Sequence, residues 1–481
     1  MNIKLIFRIL GFLLIVEGIA ILIALMVALI YKGPDVAALL QSALICLATG
    51  SISLFINRNA AKNMGKREGF VIVSLVWVVF SFFGSLPFIL SHTIPDLTNA
   101  FFETMSGFTT TGSSILNDIE SLPNGILFWR SMTQWLGGMG IIVLSLAILP
   151  IFGIGGMQLF AAEVPGPVAD KLSPRIQSTA KSLWGIYVLF TFTETIMLWI
   201  GGMSLFDAVN HSFTTMATGG YSTKQASIAF WTSPYIHYVI SIFMIIAGTN
   251  FTVSFLILTG KFKKAIDNEE LKYYLSFIGI FTLIISVGLF FTTDLNIEQS
   301  FRDALFQVAA IITTTGYATV DYLHWIPFLT IVLFGVFFFG GSAGSTGGGL
   351  KIMRIVLLLK NSYYELRRII HPNAIIPVRF NKNVVSDQII TNVLAFFMIY
   401  FIIFFGSTIL IMLVVPDLPS AMGAVATSLG NIGPGLGIFG PAENFYTLHP
   451  VGKWFLSFLM LLGRLELFTV LVLFSPAFWK K

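Results

Sequence analysis

Ile311 to Thr319 reads Ile-Ile-Thr-Thr-Thr-Gly-Tyr-Ala-Thr, and this stretch has three relatives in the same chain. Counting twelve residues from an alanine to a glycine aligns Ala100 to Gly112, Ala208 to Gly220, Ala304 to Gly316 and Ala421 to Gly433 without gaps. The units close on Thr110-Thr111-Gly112, Thr218-Gly219-Gly220, Thr314-Thr315-Gly316 and Asn431-Ile432-Gly433. A lone Thr-Thr-Gly is an ordinary turn, but four at equivalent places suggest one ring. Extended backbone and hydroxyl oxygens can replace a cation's hydration shell, and glycine reaches backbone angles that other residues resist.

Around these units the chain is 56% hydrophobic and 11% charged over 481 residues, with mean hydropathy +0.86, which places it among membrane proteins. The net charge of +5 sits in clusters between apolar runs, a pattern of membrane topology and not of nucleic-acid binding. Cys46 is the one cysteine, so no intrachain disulfide forms. The apolar run Ile9 to Tyr31 is longer than a signal-peptide core and reads as a retained span.

Two spans come first, Ile9 to Tyr31 and Val36 to Ile56, and then a span, short amphipathic segment, span pattern repeats four times. The first repeat uses Gly69 to Leu90 and Gly125 to Pro150 around Leu97 to Gly112, and the second Leu183 to Met203 and Pro234 to Leu258 around Leu205 to Gly220. The third uses Tyr273 to Phe291 and Trp325 to Leu359 around Phe301 to Gly316, and the fourth Ile389 to Val415 and Val451 to Phe474 around Leu418 to Gly433. The divisions are 1–67 for the initial pair, then 68–181, 182–271, 272–388 and 389–481. A helical crossing needs about 20 residues, so the intervening segments are expected to enter the bilayer and return, sharing a wet space. Ser204 three before Asp207 and Ser300 three before Asp303 read as helix starts.

Of the 28 Lys and Arg, 22 fall before the first span, between repeats or at the end, which by the positive-inside rule makes both termini cytoplasmic and the repeats parallel. The expected architecture is an all-α integral membrane protein of about ten spans and four re-entrant loops around a pseudo-fourfold pore, with two extra helices in front. Asp96, Asp118, Glu120, Asp207, Asp294, Glu298, Asp303 and Asp417 fall on or near the outer side and are expected to concentrate cations there.

The repeat unit is similar to the Thr-Val-Gly segment of potassium-channel filters. Two spans before four span, pore-loop, span units resemble the TrkH/TrkG and KtrB potassium-uptake subunits of the Trk, Ktr and HKT superfamily, with a close match to the TrkH branch. The resemblance implies a potassium filter from Thr111, Gly112, Gly219, Gly220, Thr315, Gly316, Ile432 and Gly433, with Thr110, Thr218, Thr314 and Asn431 as the next oxygen layer. It implies a homodimer in the cytoplasmic membrane with one pore per protomer, potassium as the transported ion, and a TrkA-type nucleotide-binding regulator on the cytoplasmic side. The seven Lys and Arg between Lys351 and Lys382 are the candidate contact. Ile432 and Asn431 replace threonines, so the hydroxyl layer is incomplete and selectivity should be weaker than in a symmetric tetramer.

The second span of the third repeat holds Gly340-Gly341-Ser342-Ala343-Gly344-Ser345-Thr346-Gly347-Gly348-Gly349. Each glycine costs a helix about 1 kcal/mol relative to alanine, so the span is expected to break there. It lacks the Gly-Lys-Ser/Thr order of a nucleotide loop. In the family the corresponding loop lies below the filter and gates the pore, and the small residues suggest a segment without a bulky anchor. Arg464 lies mid-span, where a guanidinium costs about 2.5–3.5 kcal/mol unless it has partners or water; family likeness puts it facing the pore below the filter. Glu466 is two positions on and on another helix face. Glu17 and Glu194 read as packing residues, and Gly153 to Gly156 as a turn. The histidines show no metal spacing and no nucleophile–base pair is present, which argues against an enzyme. An ion-coupled secondary transporter, with proton or sodium symport at a broken helix, is the alternative.

Overall fold

A computed structural model describes residues 1–61, 64–140 and 176–480 of the chain. Ile3–Ile30 and Val36–Ile56 form the initial pair, both predominantly apolar along their length. They cross closely because small residues meet: a Cβ on Gly50 would stand 2.6 Å from the Gly11 carbonyl. Four more helices are long and apolar enough to cross a bilayer: Lys66–Leu90, Lys181–Ile200, Glu269–Thr292 and Asp387–Ile411. Two bent pairs, Pro234–Ala247 with Phe251–Leu258 and Pro450–Arg464 with Phe468–Phe474, bring the number to eight. Of the other two expected spans, that of the third repeat keeps only a short apolar helix, Pro327–Val336. That of the first, Gly125 to Pro150, starts as Asn124–Trp135 and runs past the described residues, which also exclude Gly153 to Gly156.

The four short segments are helices: Leu97–Phe108, Leu205–Met216, Ile297–Ile312 and Leu418–Gly430. The first, at 12 residues and about 1.5 Å each, is too short for the bilayer core. All four start the same way, with Asp96, Ser204, Asn296 and Asp417 each accepting a hydrogen bond from the backbone N–H three residues on. Ser204 starts its helix as expected. Ser300 does not, because Asn296 offers an earlier cap and leaves Ser300 buried inside the helix.

The second span of each repeat departs from regular α-helix at or past its middle, whereas only the glycine-rich one announces this in the sequence. The second repeat bends by 107° and the fourth by 111°. The third is non-helical from Phe337 to Lys351 before resuming as Ile352–Ile370, and the first passes into a π-turn at Leu136–Gly140. The cause is close approach to the C-terminal ends of the re-entrant helices. A Cβ on Gly137 would collide with the Phe108 carbonyl, one on Gly463 with the Leu429 carbonyl, and one on Gly248 would lie 2.8 Å from Thr313 Cγ2. Each break thus brings backbone against the end of a re-entrant helix.

Candidate functional site

All four re-entrant helices end in one geometry. Thr111 N–H donates to Ser106 O at 2.8 Å, Gly219 to Thr214 O at 2.8 Å, Thr315 to Ala310 O at 2.8 Å and Ile432 to Thr427 O at 3.0 Å. This six-to-one bond marks a Schellman close, which puts the preceding residue in the left-handed region, normally as glycine. Here that residue is Thr110 (φ 53), Thr218 (φ 54), Thr314 (φ 59) or Asn431 (φ 53). A threonine held there costs about 1–3 kcal/mol, a strain that persists only where the surroundings impose it. Asparagine tolerates the conformation best among non-glycine residues, which accounts for Asn431 where a threonine is missing. Two residues on, Gly112, Gly220, Gly316 and Gly433 return to positive φ at 85°, 75°, 78° and 108°. Two positive-φ residues separated by one other residue therefore recur four times, including the repeat whose side chains diverge.

The glycines name each other's neighbours. A Cβ on Gly112 would strike the Gly219 carbonyl, on Gly220 the Thr315 carbonyl and on Gly316 the Ile432 carbonyl, and on Gly433 it would reach the Thr111 carbonyl at 3.0 Å. The four strands close a ring in chain order, and all four glycines line one cavity. Asn431 Nδ2 donates to Thr111 Oγ1 and to Met460 O, both at 2.9 Å, so its amide joins the fourth strand to the first where a hydroxyl was expected to be missing. None of the eight carboxylates expected to attract cations lines this cavity. Asp96 and Asp417 are used as caps, and Asp207 accepts from Thr223 Oγ1 at 2.6 Å.

Behind the first two strands lies a charged network that the sequence did not announce. Arg130 Nε donates to Glu103 Oε1 at 2.7 Å with both side chains almost wholly buried. Its Nη1 donates to Ser222 O at 2.9 Å, and its guanidinium lies 3.6 Å from the centroid of the Tyr221 ring. Gln134 brackets Gly220, donating to Gly219 O at 2.7 Å and accepting from Tyr221 N at 3.0 Å. The available signal was a charge and an amide four residues apart, Arg130 and Gln134, inside an apolar run. Breaking a buried pair costs about 3–5 kcal/mol because the remaining charge is stranded. Arg130→Ala is therefore expected to lower the thermal midpoint of purified protein sharply, and Glu103→Gln combined with Arg130→Met to restore part of it.

The glycine-rich segment is anchored more firmly than its composition suggests. Ser342 N–H donates to Gly248 O at 2.8 Å, Ala343 N–H to Glu270 Oε1 at 2.7 Å, and Gly348 N–H to Thr314 Oγ1 at 2.7 Å. Gly344 O accepts from Phe251 N at 3.2 Å, Thr346 Oγ1 donates to Met216 O at 3.0 Å, and Lys351 Nζ bonds Gly347 O. The segment has no bulky anchor, as expected, but its own backbone groups and the Thr346 hydroxyl hold it in place. The loop touches the left-handed residue of the third strand through Thr314.

Arg464, at the break of the last span, joins three elements. Nη1 donates to Thr110 Oγ1 at 3.2 Å and to Thr346 O at 2.8 Å, while Nη2 donates to Gly137 O at 2.6 Å and Gly138 O at 2.5 Å. The first strand, the glycine-rich loop and the π-turn of the first repeat thus meet on one guanidinium. Glu466 pairs instead with Arg354, which leads out of the loop and lies 4.0 Å from the centroid of the Phe396 ring. Glu17 and Glu194 are fully buried against re-entrant helices: Glu194 lies beside Thr215, and a Cβ on Gly84 would meet Glu17 Oε1 at 2.9 Å together with Thr104 and Phe108.

A family model described as TrkH, cation transport protein, matches residues 36–481. The Trk system potassium uptake protein TrkH of Escherichia coli strain K12 is 44% identical over 488 residues, covering all of both chains. The Trk system potassium uptake protein TrkG of the same strain is 32% identical over 98% of this chain and 97% of its own. The crystal structure of the potassium transporter TrkH from Vibrio parahaemolyticus is similar with a TM-score of 0.89 at 36% identity, over 100% of both chains.

Proposed function

The chain belongs to the TrkH family of cation transport proteins, and we propose that it carries potassium ions into the cell through the ring of four strands. One observation carries this reading: four left-handed residues and four positive-φ glycines repeat around a closed ring, including the strand that departs from the threonine pattern. In this reading Thr111, Gly112, Gly219, Gly220, Thr315, Gly316, Ile432 and Gly433 hold the partly dehydrated ion. Thr110, Thr218, Thr314 and Asn431 form the layer beneath, and the negative ends of four helix dipoles favour a cation there. The divisions 68–181, 182–271, 272–388 and 389–481 are the four quarters of the ring. Purified protein in liposomes should pass potassium down its gradient in preference to sodium; equal passage of both ions would refute the reading.

Gly340 to Gly349 with Arg464 form the gate, because the loop bonds the third strand through Thr314 and Arg464 bonds the first through Thr110. The protein resides in the cytoplasmic membrane with both termini inside and works as a homodimer. A TrkA-type nucleotide-binding regulator moves the loop through Ile352–Ile370, the helix that continues it and that carries four of the seven basic residues. Within the last turn of that helix, Arg367 and Arg368 differ. Arg368 is tied to the chain's own fold, with Nη2 donating to Ile376 O at 2.6 Å, whereas the Arg367 side chain, among the described residues, meets Tyr363, one turn back, by ring and hydroxyl. Arg367→Glu is therefore the cleaner variant. Reversing a contact charge should weaken co-purification with the regulator about tenfold without altering the thermal midpoint, and a wild-type yield of complex would move the contact elsewhere.

A further inference from the structure

Counting from the alanine that opens each unit, the fourth residue is Glu103, His211, Gln307 and Ala424. The first three are fully buried polar side chains on re-entrant helices. Each reaches the strand leaving the ring, two or three residues beyond the glycine. Glu103 accepts from Ser114 Oγ at 3.1 Å and Ile115 N at 2.9 Å. His211 Nδ1 donates to the Asp207 carbonyl at 2.7 Å, which turns Nε2 to Ser222 Oγ at 3.0 Å. Gln307 Nε2 donates to Thr319 Oγ1 at 3.4 Å. Ala424 has nothing to extend, and there the strand rests directly on the helix: a Cβ on Gly435 would stand 2.9 Å from Gly423 C.

Each strand is therefore an arch with two footings on one helix. The Schellman close holds its inner end. The fourth-position side chain holds its outer end in three repeats, and backbone contact does so in the last. Carbonyls that discriminate between ions by cavity size or field strength need a span of fixed length, and a footing that loosens lets the arch adapt to a different ion. We infer that Glu103, His211 and Gln307 are positioning residues that set the ion preference of the ring, an inference that rests on the ring being a potassium filter. The footings are unequal. Glu103 makes two short bonds to its strand, while Gln307 makes one long bond and its Oε1 has no hydrogen-bond partner among the described residues, so the third arch is the loosest.

The test alters the far end of a footing, which changes no charge. Ser222→Ala removes the hydroxyl that His211 meets, Ser222→Thr keeps one, and Thr319→Val preserves shape while removing the oxygen that Gln307 meets. In liposomes containing the full chain, Ser222→Ala should lower the potassium-over-sodium permeability ratio about threefold or more, the scale of one lost hydrogen bond. Potassium flux should persist, Ser222→Thr should restore the ratio, and Thr319→Val should lower it less because its bond is already long. A Ser222→Ala chain with the unmodified ratio overturns the inference. If that variant does not fold, Thr319→Val decides on the same readout, and an unchanged ratio overturns it equally. An unmodified chain that passes both ions alike refutes the potassium filter itself, a result distinct from failure of the footings.

Discussion

Gly316→Ala is expected to lower potassium uptake at least about tenfold and to erase most of the preference over sodium. Two independent effects converge at this position. Its φ of 78° lies in the left-handed region, which costs an L-residue about 1–2 kcal/mol. The added Cβ would also collide with the Ile432 carbonyl and stand 2.8 Å from Pro434 Cδ, so the fourth strand has to move as well. Each 1.4 kcal/mol is a factor of ten, and the displaced atom is one of the carbonyl oxygens proposed to face the ion. Gly260 supplies the control: its φ is 75° and nothing lies within 4 Å of its would-be Cβ. Gly260→Ala thus imposes the backbone penalty without a neighbour to displace. Rubidium uptake by potassium-starved cells should separate the two variants, and identical behaviour would mean that the ring geometry does not control permeation. Gly433 has more room, with its nearest atom at 3.0 Å, but its φ of 108° lies far from the left-handed well. Substitution there should act through the backbone of the strand itself.

Arg464→Ala is expected to raise potassium flux about tenfold or more by removing a fixed positive charge beside the ion path and to make flux independent of the regulator. The second effect follows from the hydrogen bonds. One guanidinium nitrogen spans Thr346 O and Thr110 Oγ1, and another spans Gly137 O and Gly138 O, so the loop is tied to the first strand and to the first repeat's break together. Lysine keeps the charge but presents a compact ammonium in place of a planar fork. Arg464→Lys should accordingly keep flux low while losing regulator control, which separates the barrier from the latch. Flux through reconstituted protein with and without the regulator reads both. A loss of folded protein in the alanine variant, with no gain in flux per folded molecule, would make Arg464 a structural residue and return gating to the loop alone.

The repeats, the spans and the ring glycines were legible in the sequence because each depends on neighbouring residues: apolar run length, charge clusters and turn chemistry. The ends of Val36–Ile56 coincide with the run read from the sequence, and the four glycines took the positive φ that a glycine after a helix end invites. The Schellman closes were implicit in the same units, though nothing local required threonine to adopt the left-handed form. What the tertiary structure decided involves residues far apart in the chain. Gly248 breaks its helix against Thr313, Gly463 breaks against Leu429, and neither glycine differs in sequence from one that a helix tolerates. Glu103 pairs with Arg130 across 27 residues, and Asn431 bonds Thr111 across 320. Asp96 and Asp417, read from the sequence only as outer carboxylates, also cap re-entrant helices. Local composition specified which backbone conformations were available, but the order of strands around the ring, the places where spans break and the partners of each buried charge exist only once the four repeats pack, because a backbone close approach or an ion pair is a property of two segments and is written in neither alone.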